Sequence, residues 1–191
     1  MGIEFELKYA ATAEVLDLLR ARFPHLRPIA METTYFDNEK GDFSRLKWTF
    51  RRRMENEQSI CTLKTPAAGL GRAEFEVACG DILEAVPLLI EQGAPKELLL
   101  LTARGVAPSC GAKFIRLAGL LELDGCTVEL ALDEGRLLGG GKELPFREVE
   151  VELKSGSEDA ATAFAAGLAV EYGLKAEHLS KVARARALAD A

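Results

Sequence analysis

The chain has 191 residues, 48% of them hydrophobic and 28% charged, which is the composition of an ordinary globular protein. No apolar run approaches the ~18 residues of a membrane-spanning helix, and Glu4, Glu6 and Lys8 interrupt any secretory pattern at the N-terminus. The expectation is one cytoplasmic domain over residues 1–191, with no membrane contact. A net charge of −6 argues against nucleic-acid binding by the surface as a whole, but it is compatible with an enclosed basic patch. Cys61, Cys79, Cys110 and Cys126 are widely spaced and form no Cys-x-x-Cys pair, so reduced, structural cysteines are expected rather than zinc or disulfides.

Alternation of apolar and polar residues predicts strands over about residues 2–9, 31–37, 45–54, 58–65, 72–79, 112–117, 119–124, 126–133 and 146–154. Between the first two, Val15, Leu18, Leu19 and Phe23 share one side of a helix over 13–23, with Thr12 as its N-cap. A second helix is predicted over 82–92, kinked or shortened by Pro87. Gly139, Gly140 and Gly141 mark a turn and are not followed by the Lys-Ser/Thr of a phosphate-binding loop. Further helices are expected over 158–172 and 179–189. The strings Glu4-Phe-Glu-Leu-Lys8 and Glu150-Val-Glu-Leu-Lys154 match in pattern, as an internal repeat or as two similarly charged strands.

Side chains two apart on a strand share a face, so Glu4, Glu6 and Lys8 point one way while Ile3, Phe5 and Leu7 point the other. The same parity recurs in Arg51 with Arg53, Thr62 with Lys64, Arg72 with Glu74 and Glu76, Glu129 with Asp133, and Glu148 with Glu150 and Glu152. One such strand is ordinarily a sheet with a solvated outer face. Six of them, with like charges adjacent, require counter-charges or bound ions. The shared face sums the acids Glu4, Glu6, Glu74, Glu76, Glu129, Asp133, Glu148, Glu150 and Glu152 against Lys8, Arg51, Arg53, Lys64, Arg72 and Arg116. Fixed cations suit a polyphosphate, and the surplus carboxylates would repel it unless they held divalent metal. If the apolar parity faces covering helices, a sheet of about eight strands closes around a polar interior.

These motifs resemble the CYTH superfamily, the triphosphate tunnel metalloenzymes, over nearly the whole chain. Glu4-x-Glu6-x-Lys8 is followed in family order by Tyr35-Phe36-Asp37, Phe50-Arg51-Arg52-Arg53, Thr62-Leu63-Lys64, Arg72-Ala-Glu74-Phe-Glu76, Arg116, Val128-Glu129 to Asp133 and Glu148-Val-Glu150-Val-Glu152. The resemblance implies an α+β fold, an eight-stranded antiparallel closed β-barrel with flanking helices. Inside it, basic residues grip a triphosphate and acidic residues bind Mg²⁺ or Mn²⁺. Glu148 to Gly156 and Leu179-Ser-Lys181-Val-Ala-Arg184 look most like the bacterial inorganic triphosphatase branch, which often carries a C-terminal CHAD domain. The chain is either a stand-alone form or the N-terminal part of something longer. Ala185 stands where the family text has Gly after the Arg, so Lys181 and Arg184 carry over less firmly.

The expected phosphate-binding set is thus Lys8, Arg51, Arg53, Lys64, Arg72, Arg116, Lys181 and Arg184. The expected metal set is Glu4, Glu6, Glu74, Glu76, Glu129, Asp133, Glu148, Glu150 and Glu152, with Glu4, Glu6, Lys8 and Asp133 closest to the chemistry. The expected partner is a triphosphate or nucleotide-like small anion, with a homodimer left open. The reaction expected is hydrolysis of inorganic triphosphate. A thiamine triphosphatase, a class IV adenylyl cyclase or a non-catalytic polyphosphate binder are the alternatives. His25 and His178 lack the paired spacing of a zinc site and are expected to be surface or capping residues, and Ser59 and Ser180 lack a recognisable base.

Overall fold

The computed structural model describes residues 3–67 and 72–190, with the side chains of Ile3, Glu4 and Asp190 left out of the description. The described strands form one antiparallel sheet in the order β1-β6-β5-β4-β3-β7-β8-β9-β2-β10. They are β1 (Ile3–Glu4), β2 (Glu6–Ala10), β3 (Arg27–Asp37), β4 (Thr49–Glu55), β5 (Gln58–Pro66), β6 (Arg72–Ala78), β7 (Ala107–Leu123), β8 (Cys126–Gly139), β9 (Lys142–Gly156) and β10 (Lys175–Ala176). β1 and β2 are one strand interrupted at Phe5, so the expected eight strands become nine, with the two-residue β10 as the addition. β1 pairs with β6 and β2 pairs with β9, while Phe5 O accepts from Leu153 N at 2.9 Å. One segment of eight residues therefore holds both ends of the sheet.

The long hairpins follow from turn chemistry. Gly140 and Gly141 both lie at positive φ (57° and 73°), the conformation of a two-residue turn between twisted strands, and carry β8 into β9. Asn56 reaches φ 53° between β4 and β5, and its side-chain oxygen accepts from Ala30 N at 2.9 Å. The expected break near residue 118 does not occur. β7 runs unbroken through Gly119, because a Cβ there would lie 2.9 Å from Leu26, so glycine lets the chain pass rather than end.

Helix α1 (Ala13–Arg22) starts where Thr12 Oγ1 accepts from Val15 N, and α5 (Glu158–Tyr172) runs from the Ser157 cap to Gly173 in the left-handed region. Between them they bury Leu16, Leu19, Ala161, Ala165 and Leu168 against the outward parity of β8 and β9, namely Val128, Leu130, Leu132, Val149 and Val151. A second core joins Phe50, Leu63 and Phe75 to α2 (Asp42–Arg45), α3 (Ala85–Glu91) and α4 (Glu97–Thr102). Neither α2 nor α4 shows in the hydrophobic period, being too short to display one. α3 is shorter than the predicted 82–92, and Pro87 sits in its first turn, where its missing N–H costs nothing. The last helix, α6 (Lys181–Asp190), behaves differently. Val182 and Ala185 pack with Met31, Tyr35, Ala112, Phe114 and Phe146, residues of the inward parity, so α6 fills one end of the sheet's concave face.

Among the described residues the cysteines are free thiols, with Cys61, Cys110 and Cys126 buried. No helix there is long and apolar enough to cross a membrane.

Candidate active site

Period-two alternation puts the charged parity of seven strands onto one cavity of about 720 Å³. Its wall includes Glu6 and Lys8 of β2, Arg51 and Arg53 of β4, Lys64 of β5, Arg72, Glu74 and Glu76 of β6, Arg116 of β7, Glu129 of β8, and Glu150 and Glu152 of β9. The charges are sorted within it. Arg51 faces Glu74 at 3.6 Å and Glu76 at 3.9 Å, Arg53 lies against Glu55 and 3.9 Å from Glu76, and Lys64 is 3.1 Å from Glu74. Glu74 and Glu76, expected with the metal-binding acids, thus lie among the cations of a basic wall. Thr62 Oγ1 donates to Glu76 at 2.9 Å, and Arg72 donates to Lys47 O and Thr49 Oγ1. Burial, and Arg51 beside it, lower the Arg53 pKa, so this wall favours an incoming anion.

Opposite stand two rows of carboxylates produced by strand register. Glu129, Glu152 and Glu6 are successive partners across β8, β9 and β2, and Asp133 pairs with Glu148. Glu150, two residues from Glu148, faces the same way and pairs with Lys8. Like charges in register are destabilising unless offset. Around the lower row the offset comes from three cations. Arg116 donates to both oxygens of Asp133 at 2.8 and 2.7 Å and also contacts Glu150. From α6, Lys181 lies 2.8 Å from Asp133 and 2.5 Å from Glu150 and against Glu148, while Arg184 contacts Glu148 and lies 3.5 Å from Glu177. The Lys181 ammonium also sits 5.4 and 5.3 Å from the ring centroids of Phe114 and Phe146.

The electrostatics follow. Burial alone would raise Glu150, but Lys181 and Arg116 outweigh it and hold the carboxyl well below its usual range. At Glu148 burial wins over Lys181, and its pKa rises. Burial works against the Lys181 charge, yet Asp133, Glu150 and Glu148 together raise its pKa.

Asp133, Glu148 and Glu150 can each direct an oxygen to within 4.8 Å of the others, the geometry of a hard-cation site. Glu148 Oε2 is buried without a well-formed hydrogen bond, although Lys181 lies against it, so the donor set fits a divalent ion. Glu4 falls outside the described side chains, and only its backbone register with Arg72 is seen.

Lys181 and Arg184, expected less firmly as phosphate-binding residues, lie against the carboxylates of β8 and β9, and Lys181 also lines the cavity. Several wall residues were not anticipated. Lys154 continues the parity of Glu148, Glu150 and Glu152 and could have been found by extending that count. Thr33 and Tyr35 have the inward parity of β3 but no charge to signal it. His178, read from the sequence as a surface or capping residue, lines the cavity from the segment ahead of α6, which no periodicity marks.

The model of the CYTH domain matches residues 2–185. The inorganic triphosphatase of Haemophilus influenzae is 28% identical over 95% of this chain and 53% of its own length, so the chain spans about half of that relative. Among solved structures, a candidate adenylyl cyclase from Hippeastrum, described as having a dominant triphosphatase activity, superposes with a TM-score of 0.69 at 18% identity. That match covers 98% of this chain and 96% of that one. A candidate adenylate cyclase from Bacillus halodurans gives 0.65 at 18% identity, covering 93% and 94%. With the charged rows, the sheet order and the family match in agreement, the chain belongs to the CYTH domain family and is homologous to bacterial inorganic triphosphatase.

Proposed function

We propose that this protein hydrolyses inorganic triphosphate to diphosphate and phosphate with Mg²⁺ or Mn²⁺, inside a closed tunnel of eight principal strands. The observation that carries the reading is the sorting of one cavity into a basic wall with Arg51, Arg53 and Lys64 and a carboxylate wall with Glu6, Glu129, Glu150 and Glu152. A binder of metal alone needs no Arg51, Arg53 and Lys64, and a binder of anion alone is opposed by Glu6, Glu129 and Glu152. Residues 3–10, which engage both β6 and β9, support the closed arrangement. The Haemophilus relative's name supports the substrate, although fold alone does not fix it.

A triphosphate is split by neutralising its charge and holding the phosphoryl group in line with water. Arg51 and Arg53 present guanidinium forks, and Lys64 and Lys8 present point charges to the same anion. Arg116 is already committed to Asp133 and Glu150, so it sets the depth to which the anion enters. Glu6, Glu129 and Glu152, or Asp133, Glu148 and Glu150, would hold divalent metal, which would supply positive charge for the phosphoryl groups and acidify water. Lys181 and Arg184 close the α6 end and exclude solvent from it.

The test is phosphate release from inorganic triphosphate, thiamine triphosphate and ATP, with either metal, by the wild type and by Glu6→Gln, Lys8→Ala and Arg51→Ala. Triphosphate should be preferred, and each variant should lose at least about a hundredfold in kcat/KM. Full activity in all three folded variants would sink the assignment. Preference for thiamine triphosphate, or for ATP with cyclic product, would move the substrate while keeping the site.

A further inference from the structure

The strings Glu4-Phe-Glu-Leu-Lys8 and Glu150-Val-Glu-Leu-Lys154 lie on neighbouring antiparallel strands. Their register pairs Glu6 with Glu152 and Lys8 with Glu150, and the Leu153 N to Phe5 O hydrogen bond continues the same alignment. Repeating a five-residue string in antiparallel register creates a local two-fold axis. Here it passes between Glu6 and Glu152, and rotation about it exchanges Lys8 with Lys154. The two lysines are four residues apart along the ladder, about 13 Å of strand at ~3.3 Å per residue. Both line the cavity. Lys154 Nζ lies 2.7 Å from Glu152 and 3.9 Å from Glu129, and the side chain is 36% exposed, at the mouth rather than the base.

This symmetry has chemical meaning if the ligand shares it. Resting on the phosphoanhydride reading above, we propose that Lys154 is the counterpart of Lys8, that the two grip opposite ends of one linear anion, and that the cavity thereby selects a triphosphate unesterified at both ends. A free triphosphate is itself two-fold symmetric, with like-charged terminal groups. A nucleoside or thiamine triphosphate has an ester at one end. α6 fills the other end of the concave face through Val182 and Ala185, so an ester must lie toward Lys154. There it displaces the terminal charge that an ammonium would bind. Discrimination then comes from the attraction between the Lys154 ammonium and a free terminal phosphate, which an ester forgoes.

Binding separates this from a merely structural Lys154–Glu152 pair. The probes are bis-methylene triphosphate, which resists hydrolysis, and its monomethyl ester, each titrated calorimetrically with Mg²⁺. The wild type should bind the free anion about tenfold or more tightly over the ester. Lys154→Ala should abolish that ratio by weakening the free anion alone, and Lys154→Arg should restore much of it. Equal weakening of both ligands, or no change, overturns the proposal. Failure of the wild type to bind either ligand overturns it together with the ligand class. Binding with the expected ratio but no phosphate release from triphosphate sinks the hydrolase reading alone.

Discussion

Lys181 shows how a single side chain can hold a site together. It touches three buried carboxylates whose mutual repulsion Arg184 also relieves from α6. Breaking a buried ionic cluster by removing one partner costs about 3–5 kcal/mol, since the remaining charges stay desolvated. Lys181→Met should therefore lower unfolding stability at pH 7 by about that amount in chelator, measured by urea denaturation. Mg²⁺ should restore more stability to the variant than to the wild type, because it can occupy the group Lys181 vacates. The pH response has a definite sign. The folded pKa of Glu150 lies below its unfolded value near 4.5, so its contribution is complete above about pH 4.5 and is lost as the pH falls toward the folded value. Without Lys181 the depression shrinks, and stability measured between pH 4.5 and 3 should fall less steeply in the variant than in the wild type. An unchanged slope would show that Arg116 alone holds Glu150.

At the scale of elements, the β8–β9 hairpin and α6 depend on each other through glycine. A Cβ on Gly139 would lie 2.1 Å from Ala185 O, a backbone atom that cannot move without the helix. Gly141 has positive φ but nothing within 4 Å. Gly139→Ala should cost about 1–3 kcal/mol and loosen α6, seen as faster amide exchange over Val182 to Leu188. Gly141→Ala should cost about 1–2 kcal/mol through backbone strain, with exchange in α6 unchanged. Equal exchange in the two variants would refute the coupling. This dependence explains why the strand pattern was readable while the packing of α6 was not. Alternation in Glu148 to Leu153 needs only the two-residue strand period, whereas the place of Lys181 inside the sheet depends on contacts more than 30 residues away in sequence.

For the molecule as a whole, the eight residues from Ile3 to Ala10 reach both ends of the strand order. They supply β6 with its second neighbour and β9 with its second neighbour. Deleting residues 1–4 removes the β1–β6 pairing and exposes β6 as an edge. Hydrogen exchange should then rise over Arg72–Ala78 while β8, paired on both sides and covered by α1 and α5, stays protected. Protection unchanged at β6 would mean that its pairing with β5 alone holds that edge.

The division between sequence and tertiary structure follows from range. Side-chain parity is a local property of the backbone, so the charged faces of β2, β4, β6 and β9 and the apolar faces opposite them were legible residue by residue. The sorting of those charges was not. Glu74 and Glu76 have the same parity as Glu150, yet strand order places them beside Arg51, Arg53 and Lys64, because neighbours in a sheet are chosen by topology and not by spacing along the chain. Only the folded arrangement brings α6 into the concave face, turns Lys181 and Arg184 onto the carboxylates of β8 and β9, and sets two copies of one charged string face to face.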